Sequence, residues 1–265
     1  MRILITGHEG FVGRNLKEAL ENHHKILTLE KSESFDDWKD KLQAVVSEPV
    51  DVIVHAGAIS STQYQNPDIF LWNAQATKHL FERTMLKSSS PYFIFFSTFL
   101  VAEAEKDPHQ VSYYTWSKLL AEQYIKNNEW DAHNWCILRA SVMWGDESGC
   151  IGDRSVPYLL ASRELEHLYS DWGRDYVHIT DVVEAVRICI KTQLQGIFDL
   201  ATGTVTTNRD LASLVKWKDY RVVDNTADVE HKYPLHHISP QENVIPGWTP
   251  VVKIEEELPR LCQSF

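Results

Sequence analysis

The fold is decided near the start of the chain, by the stretch ILITGHEGFVG at residues 3–13. The apolar run within residues 2–6 predicts a strand, and residues 10–22 predict the helix that follows. The three glycines of this turn allow a tight bend, close approach of the backbone to a ligand, and close packing of helix on strand. Because a helix N-terminus attracts anions, the stretch predicts a turn that binds the pyrophosphate of a dinucleotide. Its candidate contacts are Gly7, Glu9, Gly10, Phe11, Val12 and Gly13.

Strand-like and helix-length segments alternate through the first two thirds of the chain. Residues 50–55 are mostly apolar and β-branched, as in a strand that is buried on both faces. Further strands are predicted at 25–30, 92–97 and 135–140, and helices at 37–47, 68–87 and 113–127. This order predicts an α/β protein with a Rossmann-type, doubly wound parallel sheet and helices on both faces.

The alternation breaks after Gly145, where Gly, Asp and Pro interrupt short periodic pieces. A helix at 181–192 and a strand at 197–200 are expected to return to the main sheet. We expect a dinucleotide-binding domain of residues 1–145 plus roughly 180–200, and a small substrate-binding lobe of residues 146–179 and 201–265. The lobe is expected to pack on the larger domain without a core of its own.

Composition excludes several classes of function. The 265 residues include 26 basic and 37 acidic side chains, a net charge of −11, so nucleic acid and anionic membrane surfaces are not expected partners. No stretch reaches the length of a membrane span, and Met1 leads into a strand rather than a signal peptide. Four separated cysteines without a CxxC pair favour no metal site and a cytoplasmic location.

Tyr114 and Lys118 are four residues apart in a predicted helix, so their side chains share one face. A nearby ammonium stabilises a phenolate and lowers the pKa of a tyrosine. The pair therefore predicts an acid/base at Tyr114, although the spacing alone also fits an ordinary surface helix. Tyr113 would point away from Lys118.

The GxxGxxG spacing and the YxxxK pair, which lies one strand after residues 93–98, resemble the short-chain dehydrogenases/reductases. The resemblance implies that Lys118 holds the nicotinamide ribose and that the Thr98 hydroxyl contacts the reacting oxygen. Thr98 precedes Tyr114 by only 16 residues, which indicates a trimmed loop. A carboxylate at Glu30, where the second strand ends, favours NAD, whereas Lys31 beside it leaves NADP possible.

Other segments resemble the extended branch of that family, the sugar-nucleotide epimerases and dehydratases. VIVHAGA at 52–58 resembles a cofactor loop, Asn73 belongs to an NxxGT-like helix, and residues 138–145 resemble the RxxNVYG strand. The further cofactor contacts implied are Ala56, Gly57, Ala58, Asn73, Ser97, Ala140 and Val142. Ala76 replaces the glycine of the helix motif, and Val142 replaces the asparagine of the strand motif.

Residues 174–182, RDYVHITDV, resemble a segment of the UDP-galactose 4-epimerases. In that family the arginine contacts the diphosphate of the nucleotide, which implies this role for Arg174 and, on a weaker match, for Arg154. Ser60 begins an SST run similar to one in the ADP-heptose epimerases, which implies a substrate contact.

The resemblance implies an NAD(P)-dependent epimerase of a nucleoside-diphosphate sugar that acts as a homodimer. A dehydratase is disfavoured because Phe99 and Leu100 occupy the places of Asp-Glu, and a fucose-synthase-like enzyme is disfavoured because no cysteine follows Thr98. Two alternatives stay open: an NAD(P)H-dependent reductase of a 4-keto nucleotide sugar, and a non-catalytic NAD(P)-binding regulator.

Overall fold

The computed structural model describes residues 1–85, 90–106, 111–128, 134–169, 172–223, 236–237 and 242–265. Its strands are β1 (Arg2–Thr6), β2 (Lys25–Leu29), β3 (Val52–His55), β4 (Tyr92–Thr98), β5 (Trp135–Ala140), β6 (Val142–Trp144), β7 (His167–Tyr169), β8 (Gly173–His178), β9 (Gly196–Leu200), β10 (Val205–Thr207), β11 (Arg221–Val223) and β12 (His236–His237). Its α-helices are α1 (Phe11–Leu20), α2 (Phe35–Val45), α3 (Ala76–Met85), α4 (Leu100–Lys106), α5 (Tyr113–Lys126), α6 (Val156–Ala161), α7 (Ile179–Thr192), α8 (Asn208–Leu214) and α9 (Ile254–Leu261). A π-helical segment, Phe70–Gln75, runs directly into α3.

The central sheet has six parallel strands in the order β2-β1-β3-β4-β5-β9. Alternate residues of β1 enter different cores: Ile3 and Ile5 pack with α1 and α7, whereas Leu4 packs with α2, α3 and α5. Side chains of a strand point alternately to the two faces, so both faces of this sheet are covered by helices. The predicted α/β fold with a Rossmann-type parallel sheet is confirmed.

The segments after β5 build a smaller lobe around β8, which pairs with β6, β10 and β12. Trp144, Tyr176 and Leu211 are buried there together with residues of α6 and α9. The lobe thus has a hydrophobic cluster of its own, where the sequence led us to expect none. The cluster was missed because its members come from short elements spread over more than 100 residues.

Two local differences bear on the site. Helix α4 follows β4 directly, where the sequence indicated only a trimmed loop, and the predicted helix 68–87 is divided into the π-helical segment and α3. Outside the described residues lie positions 86–87 of that predicted helix, and positions 170–171, 224–235 and 238–241 of the predicted lobe.

Candidate active site

The glycine turn after β1 is pressed against the loop that follows β3. Gly7 has a φ of +70°, and a β-carbon there would lie 2.6 Å from Gly57 Cα, so both the conformation and the space require glycine. Gly10 N donates to Gly7 O at 3.0 Å, and α1 begins at the next residue. The free amides at the start of α1 therefore lie beside the turn, as a phosphate site requires.

A cleft of about 570 Å³ opens at the carboxyl ends of β1, β2 and β3, where ligands bind in open α/β sheets. Nine of the residues predicted from the sequence line it: Gly7, Glu9, Gly10, Glu30, Lys31, Ala56, Gly57, Ala58 and Ser60. Lining residues that the sequence reasoning missed include His8, Trp38, Tyr64, Trp72, Ile151, Gly152 and Asp153. Trp38 and Trp72 could be placed only once α2 and the π-helical segment were seen to meet at this cleft.

The three predicted catalytic residues converge where β4 ends. The Thr98 side chain lies beside the Tyr114 phenol, and Thr98 Oγ1 accepts from Leu100 N at 3.4 Å. Lys118 lies one turn after Tyr114, and its Nζ donates to Phe96 O at 2.7 Å. Tyr114 and Lys118 of α5 therefore contact the last residues of β4.

Burial dominates the electrostatics of this pair. It raises the pKa of Tyr114 to about 12, against the lowering effect of the Thr98 hydroxyl, and it lowers the pKa of Lys118 to about 7, against the raising effect of the Glu122 charge. The lowered Tyr114 pKa that the sequence led us to expect is therefore not found in this structure. Lys118 is engaged by the Phe96 carbonyl and has no resolved effect on the phenol.

A buried network of charged residues lies next to the predicted catalytic residues, beneath the end of β4. Glu122, with no exposed surface, accepts from Ser97 Oγ at 2.6 Å and from Arg139 Nε and Nη2 at 3.0 and 2.7 Å. Arg139 also donates to both carboxylate oxygens of Glu105, at 2.9 and 3.0 Å. The Ser97 hydroxyl, a predicted cofactor contact, is thus bound within the core. The network joins β4, β5, α4 and α5.

A second buried network runs under the cleft through His55. Burial, together with the Lys118 charge, lowers the pKa of His55 to about 3, so the ring is neutral. Thr77 donates its hydroxyl to Asn73 O and must accept from His55 Nε2, at 2.8 Å. His55 Nδ1 then accepts from Thr6 Oγ1 at 2.6 Å, and Thr6 Oγ1 accepts from Gly57 N at 3.2 Å. The cleft loop at Gly57 is therefore tied to the core below it.

Asn73, in the π-helical segment, connects the cleft with the helix that carries Tyr114. Its Oδ1 accepts from Ile59 N at 2.8 Å, and its Nδ2 donates to Ile59 O and to Ser117 Oγ, both at 2.9 Å. Single π-turns often mark functional sites. Asn73, predicted as a cofactor contact, fixes the cleft loop and α5 relative to each other.

The comparison with known proteins agrees with this geometry. The family model described as "NAD dependent epimerase/dehydratase family" matches residues 3–201. The chain belongs to this family. Among solved structures it is similar to a UDP-glucose 4-epimerase from Thermotoga maritima, with a TM-score of 0.79, 22% identity, and coverage of 99% of this chain and 98% of the other.

Two further structures have the same fold. An ADP-L-glycero-D-manno-heptose-6-epimerase from Helicobacter pylori gives a TM-score of 0.77 at 20% identity, covering 99% of this chain and 95% of the other. A Thermus thermophilus UDP-glucose 4-epimerase in complex with NAD gives 0.78 at 21% identity, covering 99% and 98%. The chain is thus an extended short-chain dehydrogenase/reductase, with NAD(P) as its cofactor.

The residues of the cleft fit the cofactor of this epimerase/dehydratase family. Besides the glycine turn, His8 Nδ1 is buried without a protein partner among the described residues, a group that a bound ligand would satisfy. His8 Nε2 lies 3.6 Å from Glu30 Oε1 at the end of β2. His8, Glu9 and Glu30 together place three potential metal-ligand atoms within 4.8 Å of one another. The sequence predicted no metal site. Both Glu30 and Lys31 line the cleft, so either ribose or a 2′-phosphate has a partner there.

The two arginines predicted to bind the substrate, Arg154 and Arg174, make different kinds of contact. Arg154 donates to Glu147 O at 2.6 Å and to Cys150 O at 3.2 Å, so it holds the loop before it. Arg174, on β8, lies with its guanidinium carbon 5.4 Å from the Trp172 ring centroid, and burial lowers its pKa. Trp172 in turn stacks on Tyr169 with the ring centroids 4.8 Å apart.

The remaining predicted cofactor residues, Phe11, Val12, Gly13, Ala140 and Val142, do not line the cleft. Phe11 and Val12 pack against the main core, and Gly13 lies so close to Gly7 that a β-carbon would collide with its carbonyl group. Ala140 ends β5, and Val142 begins β6. None of the helices within the described residues has the length and apolar character needed to cross a membrane.

Proposed function

We propose that the protein is an NAD(P)-dependent epimerase of a nucleoside-diphosphate sugar in the cytoplasm. The observation that carries the proposal is that Thr98, Tyr114 and Lys118 meet at the end of β4, on a helix that Asn73 joins to the cofactor cleft. A non-catalytic protein that only binds NAD(P) does not require these three side chains at one place. The similar structures support the class of substrate, because two of them are UDP-glucose 4-epimerases.

In this proposal Tyr114 is the acid/base. The bound NAD(P) supplies the hydride acceptor and donor. Tyr114 takes the proton of a sugar hydroxyl and returns it after the hydride has been delivered to the opposite face, while the Thr98 hydroxyl holds the reacting oxygen. A pKa of about 12 is too high for this role, so Lys118 must turn from Phe96 O toward the phenol and lower that pKa.

The smaller lobe, predicted at residues 146–179 and 201–265, is proposed to bind the nucleotide. Arg174 beside the stacked Trp172 and Tyr169 offers a planar cation and an aromatic surface, which suit a diphosphate and a base. Arg154 already bonds two carbonyl groups, so we assign it the weaker part in phosphate binding. Ser60, which lines the cleft, is the proposed sugar contact on the other side.

The second candidate function is an NAD(P)H-dependent reductase of a 4-keto nucleotide sugar. The observation that favours it is Lys31, which lines the cleft beside Glu30 and suits the 2′-phosphate of NADPH. An epimerase regenerates its NAD in every cycle, whereas a reductase must exchange NADP for NADPH. Retention or exchange of the cofactor during turnover therefore separates the two functions.

We further propose a homodimer formed through α3 and α5. The surface between these helices holds Lys78, Glu82 and Tyr124, with Lys78 Nζ 5.2 Å from the Tyr124 ring centroid. Trp116 on α5 is also partly exposed. Light scattering is expected to give twice the chain mass of 30.6 kDa, and a stable monomer would contradict the proposal.

The decisive experiment follows the anomeric protons of a panel of nucleotide sugars by NMR, with purified protein and NAD. A second sugar signal that grows to equilibrium without net NADH establishes epimerisation and identifies the substrate. An unchanged panel contradicts the epimerase for the sugars tested. Oxidation of NADPH in the presence of a 4-keto nucleotide sugar would then establish the reductase.

A further inference from the structure

The segment Asp146–Asp153, called the strap here, lies between the smaller lobe and the glycine turn. Ile151 forms a β-bridge with Gly10, the residue that precedes α1. Arg14, in the first turns of α1, donates Nη1 to Ser148 O at 2.6 Å and Nη2 to Asp146 O at 3.4 Å. The strap is thus fastened to the phosphate-binding turn by one backbone pairing and one arginine.

A second set of contacts joins the strap to the residues that follow it, through a buried carboxylate. Glu147 is only 3% exposed and accepts from Ser155 N at 2.9 Å and from the Ser155 hydroxyl. Arg154 donates to the carbonyl groups of Glu147 and Cys150. The strap therefore has a defined conformation, set by contacts with α1 and with the residues that follow it.

The strap also reaches the opposite wall of the cleft. Ile151, Gly152 and Asp153 line the cavity that the glycine turn and the β3 loop form. A β-carbon built on Gly152 would lie 3.8 Å from Ser60 Oγ, in the loop after β3. The strap thus passes from the glycine turn on one side of the cleft to the β3 loop on the other.

We propose that the strap retains NAD(P) in its cleft and that Arg14 is the positioning residue that keeps it closed. The strap covers the cavity on the side of the glycine turn, so its separation from Gly10 widens the path by which the cofactor enters and leaves. The inference rests on the cofactor cleft and sharpens the proposed function, since an enzyme that regenerates its NAD in each cycle gains from slow exchange. Asp146 O and Ser148 O compete for the Arg14 guanidinium, so phosphate binding is not the role that the contacts give it.

The first test measures the rate constants of NAD association and dissociation by stopped-flow fluorescence in R14M and E147A. R14M removes the contact of the strap with α1, and E147A removes its contact with Ser155. Both are expected to raise the two rate constants together, by about tenfold. The matched control is R187M. Arg187 Nη2 donates to Ala19 O at 3.0 Å, so its loss removes an arginine–carbonyl bond at the other end of α1.

The second test uses Cys150, which lies in the strap and is 9% exposed. In a C262S background, the rate of iodoacetamide labelling at Cys150 is read by mass spectrometry, with the fully buried Cys136 and Cys189 as internal references. NAD is expected to slow the labelling, and R14M is expected to accelerate it without NAD. Thermal melting of E147A and R14M shows whether each variant is folded before either test is interpreted.

The outcomes separate this inference from the proposed function, because neither test needs a sugar. Unchanged NAD kinetics in folded R14M and E147A, with unchanged Cys150 labelling, overturn the strap and leave the epimerase proposal standing. If R14M dissociates faster without associating faster, and E147A has no effect, Arg14 is a direct phosphate contact. That result also overturns the proposed role of the strap. A chain whose Cys150 labelling responds to neither NAD nor NADP, and which binds neither, contradicts both.

Discussion

The two ends of the candidate site differ in burial. At the catalytic end, Thr98 and Lys118 are buried and bonded to neighbouring groups, with the Glu122–Arg139 pair behind them. At the β2 end of the cleft, Glu30 and Lys31 are exposed. Buried charges persist only with partners, whereas exposed charges can change at little cost to the fold. In the proposed function, the reaction therefore depends on the packing of the core, and the choice of cofactor depends on side chains that are free to vary.

The sharpest test of this contrast is Y114F at the catalytic end. Loss of a general acid/base lowers a rate by about a hundredfold to ten-thousandfold, so kcat for the sugar is expected to fall by that factor. NAD binding should be unchanged, because the substitution is remote from the glycine turn. Y113F is the matched control, since the Tyr113 side chain is exposed at the preceding position of α5. Full activity in Y114F would refute Tyr114 as the acid/base, whereas NAD binding without turnover of any sugar by the unmodified protein would assign it to the non-catalytic regulators.

Burial should also decide how much each carboxylate of the Arg139 network contributes to stability, and E122Q against E105Q measures this. Both variants remove one carboxylate from Arg139, but Glu122 has no exposed surface and Glu105 is partly exposed. Breaking a buried pair costs about 3 kcal/mol, so E122Q is expected to lower the free energy of unfolding by about that amount in urea titrations. E105Q should cost about 1 kcal/mol or less. Equal losses would contradict the role of burial.

The predicted catalytic residues could be named from the sequence, but the buried ion pair behind them could not. Tyr114 and Lys118 could be paired from helical spacing, which is a local pattern, and Thr98 was added from the family resemblance. The Glu122–Arg139 pair could not, because its partners stand on α5 and β5 and meet only in the folded sheet. The raised pKa of Tyr114 was missed for a related reason: burial, the main cause, is a property of the tertiary structure. Ile151 reaches the cleft across more than 100 residues of chain, with no periodic signal.

His55, between the two ends, should make stability depend on pH. Its pKa is about 3 in the folded protein, against the ordinary value of 6.5 for histidine, so below about pH 6.5 the unfolded chain binds a proton that the folded chain does not bind. Stability is therefore lost as the pH falls, by at most about 1.4 kcal/mol per pH unit from this group. H55Q, whose amide can replace both hydrogen bonds, should flatten the dependence. The exposed His23 supplies the control H23Q, and equal slopes in all three proteins would refute the assignment.

The smallest effect is expected at the β2 end, where E30S should alter cofactor choice without altering the fold. Loss of a carboxylate that binds the ribose hydroxyls should raise the dissociation constant of NAD about tenfold, and removal of its charge should improve NADP binding. Calorimetric titration with both nucleotides measures the change, with K31A as the matched control at the neighbouring exposed position. If E30S leaves NAD binding unchanged while K31A abolishes NADP binding, Lys31 is the selecting residue. The reductase, which needs exchangeable NADPH, would then account for the cleft better than the epimerase.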